Sequence, residues 1–229
     1  MPVEFGRDLF RGLQEGLGLT ANMIVADIAI DADMSIDAQV DILKNSGAEV
    51  LVLNCAPPIS ARAIRRAAEL DWHPQLLLVN AAASIANALR PAGLQNAVGV
   101  ISTSFLKDAS DATWKEDPAI KDWLAFMDKY YPDGDKEDGY AIFGYAAAET
   151  LVQVLTQCGD DLSRENIMRQ AASLRNYQIP IALPGIAINT GPADFHPIEQ
   201  MRLVQFDGNS WQPIGDVIES AFAARPNDN

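Results

Sequence analysis

Short, largely apolar runs alternate with helical periodicity through the first part of this 229-residue chain. The apolar runs predict strands at residues 23–30, 50–53, 76–79 and 97–101. Apolar residues at helical spacing predict helices between them, over residues 6–17, 35–47 and 57–70. Strands that are apolar along nearly their whole length are typical of a parallel sheet covered by helices on both faces. The alternation therefore predicts a compact α/β unit over residues 1–103.

The pattern changes in the second part of the chain, where helices outnumber strands. Residues 118–130 and 140–155 are predicted helices, and the second is so rich in alanine that we expect it to be buried. Ser163 is placed to cap a third helix. Two short alternating segments, 201–206 and 211–214, predict a hairpin. Because this helical block has few strands of its own, we expect it to need a partner, either the first unit or sequence outside this chain.

The charge balance disfavours two classes of partner. The chain has 17 Lys and Arg against 31 Asp and Glu, which gives a net charge of −14 at pH 7. Proteins that bind nucleic acid or an anionic membrane present a basic surface, so neither partner is expected.

No apolar run approaches the roughly 20 residues that cross a bilayer. The residues after Met1 lack the basic and apolar regions of a signal peptide, which predicts either a cytosolic protein or a signal carried outside this chain.

Residue types with catalytic or metal-binding chemistry do not form a recognisable set. The sequence has no glycine-rich phosphate loop, no nucleophile elbow and no zinc-binding spacing of Cys and His. Its two histidines, His73 and His196, each precede a proline in loop-like sequence, which favours a solvated or structural role. The acidic stretches 31–35 and 133–138 lack the glycine and terminal glutamate of a calcium loop in register. We therefore expect no enzymatic activity, no cofactor and no metal ion.

The residues that follow two of the predicted strands are the best candidates for a binding site. They are small or polar: Asn54, Cys55 and Ala56, and then Asn80 and Ala81. In an open parallel sheet, ligands bind beyond the carboxyl ends of the strands. Each segment also leads into a helix start, where free backbone N–H groups can hold an anion. Any turn between a strand and a helix needs similar residues, so a binding site and ordinary turns remain alternatives at this point.

Several segments, in the same order along the chain, resemble the type I periplasmic solute-binding proteins of branched-chain amino-acid ABC transporters, the Leu/Ile/Val-binding receptor family. The segments that carry the resemblance are Phe5–Asp8, Ile42–Val50, Arg65–Trp72, Tyr130–Gly134, Phe143–Ala148, Cys158–Asn166 and Leu183–Ile186. Asp71 departs from the pattern, since that family usually has a glycine there. The resemblance covers nearly the whole chain and rests on the order and spacing of these segments.

The resemblance implies two α/β lobes with a ligand cleft between them, each built on a parallel sheet flanked by helices. Residues 1–103 would form the main part of lobe two, residues 104–199 the returning helical part of lobe one, and residues 200–229 the crossover and the end of lobe two. The signal peptide and most of the first lobe would then be absent from this chain. The resemblance further implies a periplasmic, non-enzymatic receptor that binds a small molecule and docks on a membrane permease.

The same resemblance implies which side chains contact the ligand. The candidates are Phe5, Cys55, Ala56, Asn80, Ala81 and Ile142. Ala56 stands where a tyrosine often packs on the ligand, so more room is expected there. Asn80 stands where an acid often holds the ammonium group of the ligand, and a neutral amide cannot form that charge-assisted bond. Within the expected range of small amino acids and carboxylic acids, these departures favour a neutral or carboxylate-only ligand, such as an aromatic or aliphatic carboxylic acid.

Three alternatives stay open. A cytosolic ligand-sensing domain of the same fold would account for a chain that starts without a signal peptide. A truncated fragment that does not bind would self-associate through its exposed helical block, since large apolar patches seek partners. A small α/β enzyme is disfavoured, because the sequence offers no nucleophile paired with a base and an orienting group.

Overall fold

The computed structural model describes residues 3–30 and 35–219, with side chains from residue 6 onward. The chain divides into two compact units. Unit 1 comprises residues 1–103 and 204–212, and unit 2 comprises residues 104–203 and 213–229. Each unit has a hydrophobic core of its own. Among the described residues, no helix has the length and hydropathy that crossing a bilayer requires.

Unit 1 alternates helices and strands, as its sequence predicts. Its helices are α1 (Val3–Leu17), α2 (Ile36–Asn45), α3 (Pro57–Glu69) and the short α4 (Arg90–Ala92). Its strands are β1 (Val50–Leu53), β2 (Gln75–Leu78) and β3 (Ile101–Ser104), the last of which ends at the boundary of the unit. A π-helix, Ile85–Leu89, comes directly before α4. The helices predicted over residues 6–17, 35–47 and 57–70 are therefore confirmed.

The sheet has the strand order β1-β2-β3-β4-β5, where β4 is Gln200–Phe206 and β5 is Trp211–Glu219. β1 pairs with β2 in parallel, with Leu53 opposite Leu78, and β2 pairs with β3 in parallel, with Leu78 opposite Ser102. The backbone N–H of Phe206 donates to the carbonyl of Val100 at 2.9 Å, which joins β4 to the segment before β3. The α/β class with a parallel sheet flanked by helices is confirmed, and so is the predicted hairpin.

The core of unit 1 lies where alternate residues of the strands meet the helices. The buried residues of β1 and β2 are Leu51, Leu53, Leu76 and Leu78. They belong to one cluster with Val40 of α2, Ile64 of α3 and the fully buried Phe206 of β4. Side chains of a strand alternate between its two faces. The second and fourth residues of β1 and of β2 are the buried ones, so a shift of one residue between the strands would turn these leucines away from the core.

Two strand predictions in unit 1 are wrong. The strand predicted at residues 23–30 does not form: Met23 ends a 3-10 helix, residues 24–30 have no regular secondary structure, and Val25 is 64% exposed. The strand predicted at residues 97–101 instead begins at Ile101 and ends at Ser104. Leu94–Ala97 is a 3-10 turn, and Gly99 follows with a φ of 87°. That positive φ is not an extended conformation, so residues 97–101 cannot form one continuous strand.

Helices dominate the described part of unit 2. They are α5 (Pro118–Tyr130), α6 (Gly139–Cys158) and α7 (Arg164–Ala171), close to the predicted bounds. Each begins after a residue whose side chain accepts a hydrogen bond from a backbone N–H of the first turn: Asp117, Asp138 and Ser163. Such caps satisfy N–H groups that have no partner within the helix. The predicted capping role of Ser163 is confirmed.

One face of α6 is exposed, although its composition predicts a buried helix. Its inner face contributes Ile142, Ala146 and Val154 to the core of unit 2. Its outer face presents an apolar row that we call the α6 stripe: Tyr140, Phe143, Ala147, Ala148, Leu151, Val152 and Leu155. The five large side chains of this row are 36% to 62% exposed. The prediction of a buried helix is therefore wrong for half of its surface, because the described residues of unit 2 cover only the other half.

Candidate functional site

The carboxyl ends of β1 and β2 lie side by side at one edge of the parallel sheet. The ladder extends one residue past the strands, because the backbone N–H of Val79 donates to the carbonyl of Leu53 at 3.1 Å. The residues beyond this point are the predicted candidates. We call them the strand-end site: Asn54, Cys55, Ala56, Asn80 and Ala81. The structure therefore brings four of the six predicted contact residues to one edge of unit 1.

Cys55 is a buried thiol with a partner in α3. Its Sγ lies 3.2 Å from Oγ of Ser60, and the Ser60 hydroxyl donates to the Cys55 carbonyl at 3.2 Å. Burial raises the pKa of the Cys55 thiol, and the bond to Ser60 offsets only part of that rise. The thiol is therefore neutral at physiological pH and acts as a small apolar group. Neither Cys55 nor Cys158 is in a disulfide.

The start of α3, directly after Ala56, has no backbone N–H group to offer an anion. Pro57 and Pro58 have none, and the N–H groups of Ile59 and Ser60 both donate to the Ala56 carbonyl, at 3.0 and 2.9 Å. The half-buried Ala56 is thus the N-terminal boundary of the helix. The expectation that free N–H groups at this helix start could hold an anion is wrong.

Asn80 is half-buried and fixed by the neighbouring strand. Its Nδ2 donates to the backbone carbonyl of Thr103 in β3 at 2.8 Å. It opens a 3-10 turn, Asn80–Ala82, in which the N–H of Ala83 returns to the Asn80 carbonyl at 3.0 Å. Ala81, the next residue, is exposed. The turn therefore presents a methyl group and an oriented carboxamide at the edge of the sheet.

Two serines near this edge, Ser102 and Ser84, were not identified from the sequence. Ser102 lies in β3 and donates to the Leu78 carbonyl at 2.8 Å, which braces the end of β2. Ser84 caps the π-helix, because its Oγ accepts from the N–H of Asn87 at 3.1 Å. A serine directly before the largely apolar segment Ile85–Leu89 is a capping signal that the sequence already contained.

Two predicted residues remain, Phe5 and Ile142. The side chain of Phe5 lies outside the described residues, although its backbone is part of α1. Ile142 belongs to unit 2, where it is 2% exposed and packs in the core. Their roles in ligand contact stay predictions.

The described residues include no group of three or more His, Cys, Asp and Glu side chains that could hold a metal ion. Of the two acidic stretches considered as calcium loops, 31–35 lies almost wholly outside the described residues. In the other, Asp135 accepts from the N–H of Glu137 at 2.9 Å, and Asp138 caps α6. These carboxylates are therefore used in local turns.

A surface cavity of about 360 Å³ lies elsewhere in unit 1, against α2 and α3. Its lining is strongly charged: Asp37, Arg62, Arg65, Arg66 and Glu69. The Arg62 guanidinium is paired with Asp37 at 2.8 Å, and Arg66 is paired with Asp41 at 2.8 Å. The third guanidinium, on Arg65, donates to the carbonyl of Pro91. Because these cations already have partners, the cavity is a weaker candidate than the strand-end site.

Comparison with solved structures gives the fold independently of these residues. A branched-chain amino-acid ABC transporter protein from Thermus thermophilus, solved with bound valine, is 16% identical with a TM-score of 0.71; the alignment covers 85% of this chain and 52% of that one. A leucine-binding protein from Thermotoga maritima is 18% identical with a TM-score of 0.63, covering 91% and 57% of the two chains. A fatty-acid ABC transporter substrate-binding protein from Thermomonospora curvata is 21% identical with a TM-score of 0.59, covering 84% and 49%.

This chain thus spans about half the length of these solved proteins. No curated protein matches it. The model of one protein family, described as periplasmic binding protein, matches residues 4–210, which is most of the chain. The members of that family are solute-binding receptors and not enzymes. The predicted resemblance is therefore confirmed, and the chain belongs to the periplasmic binding protein family.

Proposed function

We propose that this chain is a solute-binding protein of an ABC transporter and that it binds a small amino acid or carboxylic acid at its strand-end site. The family match over residues 4–210 carries the proposal. The likeness to solved proteins described as a branched-chain amino-acid transporter with bound valine, a leucine-binding protein and a fatty-acid substrate-binding protein supports the general class of ligand. The small side chains of Ala56 and Ala81 leave room for an apolar part of the ligand.

The predicted division into lobes belongs to the same proposal. Residues 1–103 form the main part of lobe two, residues 104–199 the helical part of lobe one, and residues 200–229 the crossover. The compactness of unit 1 over residues 1–103 and 204–212 supports the first assignment. In this scheme the receptor acts in the periplasm, and its closed form docks on a membrane permease.

A second candidate is a fragment that folds without binding and self-associates. The α6 stripe favours it, because five large apolar side chains on one helix are exposed. Apolar patches of this kind mark interaction surfaces or association. Self-association through this face stays a prediction.

A thermal-unfolding scan against aliphatic amino acids, their amides and aromatic or aliphatic carboxylates tests the proposal. A ligand at a hundred times its Kd adds about 2.7 kcal/mol to the free energy of unfolding. For a protein of this size, that corresponds to a rise of roughly 5–10 °C in the midpoint. A cooperative transition that no compound shifts would contradict solute binding by this chain and favour the non-binding fragment.

A further inference from the structure

We propose that Asn80 makes the strand-end site selective for a neutral hydrogen-bond donor on the ligand, a hydroxyl or a carboxamide, in place of an ammonium or carboxylate group. The inference rests on the proposed solute-binding function and specifies the chemistry of the ligand at unit 1. If the ligand is a carboxylic acid, its carboxylate is then bound by groups outside the strand-end site.

The three described segments that supply the strand-end site and its hydrogen-bond partners contain no charged residue. This holds for Asn54–Ser60, Val79–Asn87 and Ser102–Ser104, in a chain with 21% charged residues. An ion that leaves water for a site without a counter-charge loses hydration that nothing replaces. Neither an ammonium nor a carboxylate group finds a charged partner within these segments.

The orientation of the Asn80 carboxamide decides which polar atom it offers. The Thr103 carbonyl, 2.8 Å away, can only accept a hydrogen bond, so the atom that faces it is the amide nitrogen. The other atom, Oδ1, has no hydrogen-bond partner among the described residues. Asn80 therefore presents an unused acceptor, and its complement on a ligand is an N–H or O–H group.

The backbone near the site offers few donors to a carboxylate. The first two positions of α3 are prolines, and the next two N–H groups already donate to Ala56. In the turn after β2, three further N–H groups donate to backbone carbonyls of the same turn at 2.8 to 3.0 Å: those of Ala82, Ala83 and Ser84. A carboxylate is stabilised by converging N–H groups, and here they are used inside the turns. The site therefore favours donors over anions.

Two sets of matched compounds test this directly on the wild-type protein. The aromatic set is 4-hydroxybenzoate, 4-methylbenzoate and 4-(aminomethyl)benzoate, and the aliphatic set is 6-hydroxyhexanoate, hexanoate and 6-aminohexanoate. Each set keeps one scaffold and one carboxylate and changes only the distal group. We expect calorimetric titration to give the hydroxyl compound about tenfold tighter binding than both analogues, since an unmatched polar group at a binding site costs about that much.

Asn80→Asp and a matched control separate specificity from stability. Asp cannot donate to the Thr103 carbonyl, so the variant unfolds at a lower temperature, and its carboxylate shifts preference toward the ammonium compound. Asn96→Asp is the control, because Nδ2 of Asn96 donates to the Ala92 carbonyl at 2.9 Å, also in unit 1 but before β3. We expect the control to lose similar stability and to keep the wild-type order of affinities.

The outcomes distinguish this inference from the function on which it rests. Binding of amino acids or carboxylates without the hydroxyl preference would overturn the role of Asn80 and leave solute binding intact. A preference that survives Asn80→Asp would likewise show that Asn80 only braces the turn. If no compound in either set or in the wider panel binds, the proposed function fails and the inference fails with it.

Discussion

The ion pair between Lys107 and Asp117 is the contact in unit 2 whose energetic effect can be predicted most sharply. Their side chains are 10% and 19% exposed. The ammonium group donates to both carboxylate oxygens, at 2.9 and 2.8 Å, and to the Pro180 carbonyl at 2.9 Å. These three bonds use all three ammonium protons. Lys107→Met keeps an unbranched apolar side chain that lacks only the terminal ammonium group, and it removes all three bonds.

The expected loss is about 3 kcal/mol. Removing one partner of a buried ion pair costs roughly 3–5 kcal/mol, because it leaves an uncompensated charge. The lower end applies here, since Asp117 is partly reached by water and still accepts from the N–H of Ala119 at 2.9 Å. Lys107→Met combined with Asp117→Asn should recover part of the loss, because Asn caps a helix well and carries no charge.

Urea unfolding followed by tryptophan fluorescence measures this loss, and pH adds a second check. Burial raises the pKa of Asp117, but the bonds from Lys107 and the helix N–H groups outweigh burial and hold it below its ordinary value. Its contribution to stability is therefore present above about pH 3.9 and is lost as pH falls through the lower folded pKa. The difference between wild type and Lys107→Met should shrink in that acidic range. A loss below about 1 kcal/mol at pH 7, or a difference unchanged at pH 3, would refute the reasoning.

Three further predictions follow from groups whose surroundings the structure defines. Burial, and after it the charge of Asp122, raise the pKa of Glu149. The free energy of unfolding should therefore fall as pH rises above about 4.3, the pKa of an unfolded Glu. In Glu149→Gln, Tm measured against pH should fall less steeply over that range. Leu151→Lys, in the α6 stripe, should lower the self-associated fraction in light scattering, whereas the exposed control Leu162→Lys should not; equal effects would count against the stripe. The buried thiol of Cys55, with its raised pKa, should react with a disulfide reagent only after urea unfolding, and rapid labelling of the native protein would contradict its burial.

The sequence predicts an element well where local residues decide it. Val50–Leu53 is apolar between Glu49 and Asn54, and β1 has those bounds. Pro118–Tyr130 begins at a proline after an aspartate cap, and α5 has those bounds too. Residues 24–30 are apolar apart from Asp27, yet they form no strand. A strand needs a neighbour for its backbone groups, and no local pattern reports whether that neighbour exists.

The candidate site divides in the same way. Its place at the strand ends and its lack of charge are properties of the sequence order and of residue types such as Asn80. The partner that fixes Asn80 is a backbone carbonyl, that of Thr103, and a carbonyl carries no sequence signal. The Pro57-Pro58 pair did carry a signal, because two prolines remove two N–H groups from a helix start. Chemistry that depends on side-chain type is thus readable from the sequence, and chemistry that depends on which backbone groups are already used is not.

The α6 helix shows why composition alone gives the wrong expectation of burial. Hydrophobicity measures the free energy that a side chain gains when it leaves water. A helix that is apolar on all sides gains that free energy in full only if other residues pack against every side. The described residues of unit 2 cover the face with Ile142, Ala146 and Val154 and leave the α6 stripe to solvent. Covering this row would remove apolar surface from water, so the gain that α6 lacks within unit 2 is available to association through this face. Loss of association in Leu151→Lys, with association retained in the exposed control Leu162→Lys, would therefore identify this face as the site of contact.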